Sequence, residues 1–215
     1  MSNLDDRTTR AILDERALAS LHSPNLGEIS AFASRPAYLT GQRLSKAERL
    51  SGTARLYTVE YRMKYLVGPG PTAEGTLVLF DVSSLDYPGA DPSVSIRRKP
   101  LPWSPHVQPF TGVACIGEGW RLANGYMLLA ELVVHVMRLL NCDEPDRGAA
   151  YGGYNPEAAD YWRETLGRGV LDRTVEYPLI STEVSHGVVP PLPTFRRVGP
   201  RFAAAPPAPR FRRTA

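Results

Sequence analysis

Cysteine is scarce in this chain. Cys115 and Cys142 are the only two among 215 residues, which excludes a disulfide framework and a zinc quartet of thiolates. Histidine is nearly as sparse. His22, His106, His135 and His186 show none of the spacings, such as C-x-x-C or H-x-x-x-H, that bring paired ligands to one ion, so no metal is expected. No apolar run reaches about eighteen residues, and the opening MSNLDDRTTR is too polar for a signal peptide. A soluble cytoplasmic protein without a membrane partner is the expectation. Acidic residues are missing from one region, Pro190 to Ala215, which holds six arginines; the remainder carries 19 bases against 22 acids. A mildly acidic body with a basic tail differs from a nucleic-acid-binding domain, whose basic residues gather on one folded face.

What is present suffices for a core. Hydrophobic residues make up 43% and charged residues 22% of the chain, ordinary globular usage. Residues 5–21 carry Leu13, Ala17, Leu18 and Leu21 at helical spacing, with acids in the first turn, and predict an amphipathic helix. Between 26 and 50, ISAF and AYLT read as short strands and LSKAERL as a helical turn. RLYTVEYRMKYLV (55–67) alternates and is rich in Tyr and Val, so it predicts a strand. GPGPTAEG (68–75) is a turn cluster, TLVLFDV (76–82) a second strand, and SVSIRR (93–98) a third. YMLLAELVVHVMRLL (126–140) interrupts its apolar residues only with Glu131, His135 and Arg138, as a helix packed in a core does. NPEAADYWRETLG (155–167) offers Asn155 as N-cap, Pro156 at the first helical position and Gly167 as a stop. Strands followed by helices make an α+β pattern over residues 1–167. From 168 to 215 the Pro/Arg-rich sequence, with no apolar period, predicts an extended, disordered tail.

Two cysteines sit in contrasting surroundings. Cys115, in PFTGVACIGEGW, lies among glycines that let a second chain approach closely. The local run leaves it open whether that thiol is a nucleophile or an inert buried filler. Cys142 follows the apolar helix beside Asp143 and Glu144, where negative potential suppresses a thiolate, and reads as structural. His106, nine positions before Cys115 in WSPHVQPF, is either a base for that thiol or a loop organiser. Prolines 102, 105 and 109 donate no hydrogen bonds, which favours the organiser.

Taken in order, these segments resemble the ubiquitin-conjugating enzymes. The family pattern is an N-terminal helix, an antiparallel meander, a Tyr-Pro-x-x-x-Pro turn, a strand and a His-Pro-Asn motif. A catalytic cysteine follows about ten residues later, before an apolar helix and an Asn-Pro-Glu-Ala-Ala helix. Here the slots hold TLVLFDVSSLDYPGADPSVSI, His106-Val107-Gln108, GVACIG, the 126–140 helix and NPEAADYW, so the resemblance covers about residues 5–167. Val107 stands in place of the family's proline and Gln108 in place of its asparagine. Cys115 is followed after five residues by Trp120, a shorter gap than the family's, and the region 22–50 is longer. These departures resemble the divergent bacterial branch, whose genes accompany activating-enzyme, ubiquitin-like and deconjugating-protease partners, some in anti-phage defence.

The resemblance implies a cofactor-free acyltransferase. Its partners would be an activating enzyme, a ubiquitin-like protein and a target protein. Cys115 would be the nucleophile that holds the thioester, Gln108 an oxyanion donor, and His106 the organiser of the loop. Asn155, with Asp143, Glu144 and Asp146, would be a candidate gate for the incoming amine, and Trp103 and Trp120 would pack the framing loops. Two alternatives stay open: a non-catalytic binding module of the same fold, and a Cys–His thiol hydrolase.

Overall fold

The chain is described as a computed structural model over residues 3–116, 121–122, 125–143, 154–166 and 170–180. Helix α1 (Asn3–Ala19) precedes strand β1 (Leu26–Phe32), two short helices, α2 (Arg35–Leu39) and α3 (Lys46–Leu50), and the long strand β2 (Leu56–Leu66). Strands β3 (Thr72–Asp81), β4 (Ser93–Ile96) and β5 (Val113–Ala114) follow. A small pair, β6 (Arg121–Leu122) and β7 (Gly125–Tyr126), leads to helices α4 (Leu129–Leu140) and α5 (Pro156–Tyr161), the latter continued by a π-helical turn, Trp162–Leu166. The architecture is α+β. No helix among the described residues is long and apolar enough to cross a membrane.

Strands β1 to β5 form one antiparallel sheet in chain order, a meander. Its register puts one row of opposed residues across the whole sheet: Ala31, Tyr57, Phe80, Val94 and Ala114, each paired with the next. All five are buried on the main core. Strand side chains alternate between faces, so Val59, Tyr61, Met63 and Tyr65 of β2 join Tyr57 in that core. Helix α4 closes it, burying nine of its twelve residues. Each fully buried Leu, Val or Met contributes about 1.5–3 kcal/mol over its exposed state. The Tyr61 hydroxyl donates to the Val133 carbonyl of α4 at 3.1 Å, so the large ring enters the core with its polar end satisfied.

The opposite sheet face carries a smaller cluster of Phe32, Leu56 and Leu79. Its cover is α2, and here the expected AYLT strand is a helix instead. Ser34 caps it by accepting from the Ala37 N–H, and Pro36 occupies the first turn, where a missing N–H costs nothing. Ala37 and Tyr38 then face the cluster, with Tyr38 edge-on to Phe32 at 5.3 Å between ring centroids. The helical turn expected from LSKAERL is α3, closed by a capping box between Ser45 and Glu48. The β2–β3 turn is tighter than GPGPTAEG suggests, because β3 already starts at Thr72.

The N-cap of helix α4 is Leu128, a residue with no side chain able to cap. Its exposed N–H groups are met by carboxylates instead. Glu131 reaches back to the Leu128 N–H at 2.6 Å, and Asp14 of α1 accepts from the Leu129 N–H at 2.8 Å. The other Asp14 oxygen accepts from the Tyr87 hydroxyl at 2.6 Å and from Arg10 Nε at 3.1 Å, while Arg10 also donates to the Met127 carbonyl and lies over the Tyr87 ring. Asp14 is 2% exposed. Burial, and after it the Asp14 charge, holds the Tyr87 hydroxyl well above its ordinary pKa, so it stays a donor. One carboxylate thus joins α1, the Tyr-Pro turn and the start of α4.

Residues 170–180, expected to belong to the disordered tail, are fastened to the domain. Asn141, buried just past α4, donates through Nδ2 to the Asp172 carbonyl and the Tyr177 hydroxyl, both at 2.9 Å, and accepts from the Asp172 N–H at 2.8 Å. Ser23 and Asn25, after α1, bond the Glu176 backbone at 2.6 and 2.8 Å. Val175, Tyr177 and Ile180 pack against the core. The boundary expected at 167 therefore does not mark the end of the packed chain. Residues 181–215 lie outside the described residues.

Removing the shared carboxylate takes the acceptor from the Leu129 N–H, the Tyr87 hydroxyl and the mostly buried Arg10 guanidinium. Asp14→Ala is expected to cost about 3–5 kcal/mol in urea unfolding, and Asp14→Asn less, since the amide keeps an acceptor. A loss under about 1 kcal/mol for Asp14→Ala would show that the network is not holding the fold.

Candidate functional site

Val107 of the His106-Val107-Gln108 segment forms an antiparallel bridge with Ala114. On either side of the bridge the Gln108 N–H donates to the Val113 carbonyl at 2.8 Å, and the Cys115 N–H donates to the His106 carbonyl at 2.7 Å. The segment and β5 are therefore the arms of a hairpin, and Val107 extends the buried row of the sheet by one more strand. Between the arms lies a four-residue loop, Pro109-Phe110-Thr111-Gly112. Gly112 holds φ +73°, and a Cβ there would meet the Ile96 carbonyl oxygen at 2.7 Å and Leu101 at 3.0 Å, so glycine is required twice over.

This register decides where Cys115 points. Val107 and Ala114 face the core, at 0% and 8% exposure. Alternation turns their neighbours His106, Gln108, Val113 and Cys115 to the other face. Cys115 is exposed, while His106, Gln108 and Val113 are half-buried around it. In cross-strand order His106 opposes Cys115 and Gln108 opposes Val113, one step along the diagonal.

The arm holding His106 is anchored from below. The His106 N–H bonds Ser104 Oγ at 3.2 Å, its imidazole lies 6.3 Å from the Trp162 ring, and the Tyr154 N–H bonds the Pro105 carbonyl at 2.8 Å. Trp103 packs edge-on against Tyr161 at 5.3 Å. Helix α5 is the support for this loop. Asn155, the candidate gate, spends its side-chain oxygen on that support: it is buried and accepts from the Ala158 N–H at 3.2 Å as the helix N-cap. Its position makes it a holder of α5.

Gln108 is held by a residue that the sequence reading passed over. Thr111 donates its hydroxyl to Gln108 Oε1, and the Val113 N–H donates to that hydroxyl oxygen at 3.3 Å. The only sequence signal for this is a threonine three positions after the glutamine, in a turn.

The other candidates separate from the site. Cys142 is buried with Leu66 and Trp162, where a structural cysteine belongs. Asp143 follows it, with its N–H on the Arg138 carbonyl at 2.8 Å. Glu144, Asp146 and Trp120 lie outside the described residues, as does His186. His135 sits on α4 with a lowered pKa, chiefly from burial and then from Arg138, so it is neutral at physiological pH. His22 is exposed, its Nδ1 2.9 Å from the Ser20 carbonyl oxygen. Among the described residues no three His, Cys, Asp or Glu side chains gather to hold a metal ion.

Such a site offers a reachable thiol, an imidazole across the strand pair and a carboxamide on the same face. Those groups suit acyl transfer through a tetrahedral oxyanion. Compared with known proteins, the chain matches no family model, no curated protein and no solved structure.

Exposure separates the two thiols sharply. Native protein is expected to take up one equivalent of a thiol reagent quickly, a second only on unfolding, and none quickly as Cys115→Ser. Fast labelling of both cysteines in the native state would contradict the packing around Cys142.

Proposed function

We propose that the chain is a ubiquitin-conjugating-enzyme-like carrier, which receives a ubiquitin-like protein from an activating enzyme as a thioester on Cys115 and passes it to an amine of a target. The observation that supports this reading best is the hairpin. An exposed cysteine follows a buried sheet row by one residue, with a His-x-Gln segment bonded across from it. The order around it also agrees with the resemblance: helix, meander, hairpin, apolar helix, and a helix capped by Asn155-Pro156. The bacterial conjugation setting, some of it antiviral, and a cytoplasmic location belong to the same proposal.

In the first step the Cys115 thiolate attacks the thioester carbonyl on the activating enzyme. The tetrahedral oxyanion collapses, the donor thiolate leaves, and the acyl group rests on Cys115. In the second step a neutral amine attacks that acyl carbon, gives its proton to solvent or a nearby base, and expels the Cys115 thiolate. Both steps conserve the acyl group and neither changes oxidation state. Exposure of Cys115 lets two large partners reach it in turn. The Gln108 carboxamide lies on the face where the oxyanion forms and supplies the N–H that the family's asparagine would.

One observation favours a second reading. His106 stands opposite Cys115 across the hairpin, as a base in a Cys–His thiol hydrolase would. A single experiment separates the two. With activating enzyme, ATP and ubiquitin-like partner, a non-reducing gel is expected to show an adduct that thiol reductant and Cys115→Ala abolish. No adduct beside a competent activating enzyme defeats the carrier, and ATP-independent cleavage of a ubiquitin-like C-terminal thioester supports the hydrolase. Gln108→Ala is expected to slow discharge to amine about 100-fold, and more than it slows charging. Equal effects on both steps would remove the oxyanion role.

A further inference from the structure

We infer that Thr111 is a positioning residue for acyl transfer, orienting the Gln108 carboxamide so that its N–H end serves the oxyanion; this rests on the carrier reading above. A free glutamine side chain turns about its last bond and presents oxygen or nitrogen alike. Only the nitrogen end stabilises an oxyanion, and the oxygen end repels it. Thr111 removes that ambiguity. Its hydroxyl oxygen accepts from the Val113 N–H, and its one proton goes to Gln108 Oε1. With Oε1 occupied, the carboxamide plane is set, and among the described residues no group accepts from Nε2.

The backbone makes the arrangement compact. The Gly112 N–H bonds the Gln108 carbonyl at 2.9 Å, and the Gln108 N–H bonds Val113 at 2.8 Å, so the four-residue loop that carries Thr111 is closed at its base. Diagonal neighbours on one face of an antiparallel pair lie about 7–8 Å apart, and Gln108 and Cys115 are such a pair. That gap leaves room for one tetrahedral acyl carbon between sulfur and amide. Glutamine's longer stem, compared with the asparagine of the resembling family, is the reason a second side chain is needed to hold it. The loop therefore supplies both the donor and the clamp that aims it.

The test uses the full chain and a defined acyl donor, a glycine thioester of mercaptoethanesulfonate. The Cys115 thiolate displaces that thiolate, and the resulting mass shift is read by intact mass spectrometry. Lysine then attacks the acyl carbon and releases Cys115. Thr111→Val is expected to slow the lysine step about tenfold, and more than the exchange step. Thr111→Ser, which keeps the hydroxyl, should stay within about twofold of the parent. Adding Thr111→Val to Gln108→Ala should slow the lysine step no further, because the clamp acts only through the amide. Thr111→Val discharging at the parental rate, while Gln108→Ala is slow, overturns the clamp and leaves the carrier standing. A full additional loss in the double variant also overturns it. A parent that discharges no faster than Gln108→Ala overturns the oxyanion role and the clamp with it, and a parent that forms no Cys115 thioester overturns the carrier.

Discussion

The Asp14 carboxylate is the interaction on which the arrangement depends. Three parts of the chain that sequence order keeps far apart meet on its two oxygens: α1 itself, Tyr87 of the turn after β3, and the opening of α4 at Leu129. A charge so deeply buried is costly to desolvate, and it is tolerated because its oxygens accept three hydrogen bonds, one of them from a cation. Helix α4, apolar on nearly all sides, has no capping side chain at Leu128; its own Glu131 meets one N–H and Asp14 lends the acceptor for the next. Through α4 the carboxylate fixes the roof of the core, and through Tyr87 it fixes the loop leading into β4.

The sheet carries that order out to the exposed thiol of Cys115. Six opposed positions, from Ala31 to Val107, form a single buried row. The last strand is only the two residues of β5, yet its pairing on both sides settles which way each side chain turns. Cys115 faces outward because Ala114 faces inward. The thiol therefore needs no local device to expose it. Its register follows from a row of packing that begins four strands away, on β1.

Much of this was legible from residues alone, and the parts that were not share a cause. The long elements have strong periods: α1, β2, β3 and α4 appear where the patterns of 5–21, 55–67, 76–82 and 126–140 lead. Asn155 and Pro156 marked α5 by ordinary cap chemistry. AYLT misled because four residues are too few to separate alternation from a helical turn, and Ser34 with Pro36 decided it. The 170–180 strap was illegible because its anchors are hydrogen bonds to Asn141, Ser23 and Asn25 and a few isolated apolar contacts, Val175, Tyr177 and Ile180, which make no period. Asp14 looked like one acid among several in a first helix. At the candidate site, Cys115 and His106 stood out by residue type and Gln108 only through the family resemblance, whereas the Thr111 contact depends on a turn whose geometry sequence spacing does not announce.

The hairpin divides its residues between two duties. Val107, Gly112 and Ala114 face the core or press against neighbouring backbone, and their identities are dictated by the space available. Pro109, Phe110 and Thr111 stand in solvent, with Phe110 88% exposed, and bear little of the fold's weight. Substitution at Pro109 or Phe110 can change the exposed tip without loosening what holds the domain together. Pro109 and Phe110 can thus vary at no cost to the fold, whereas Thr111 is tied to Gln108 and Val113 and the inward three are fixed by the space around them.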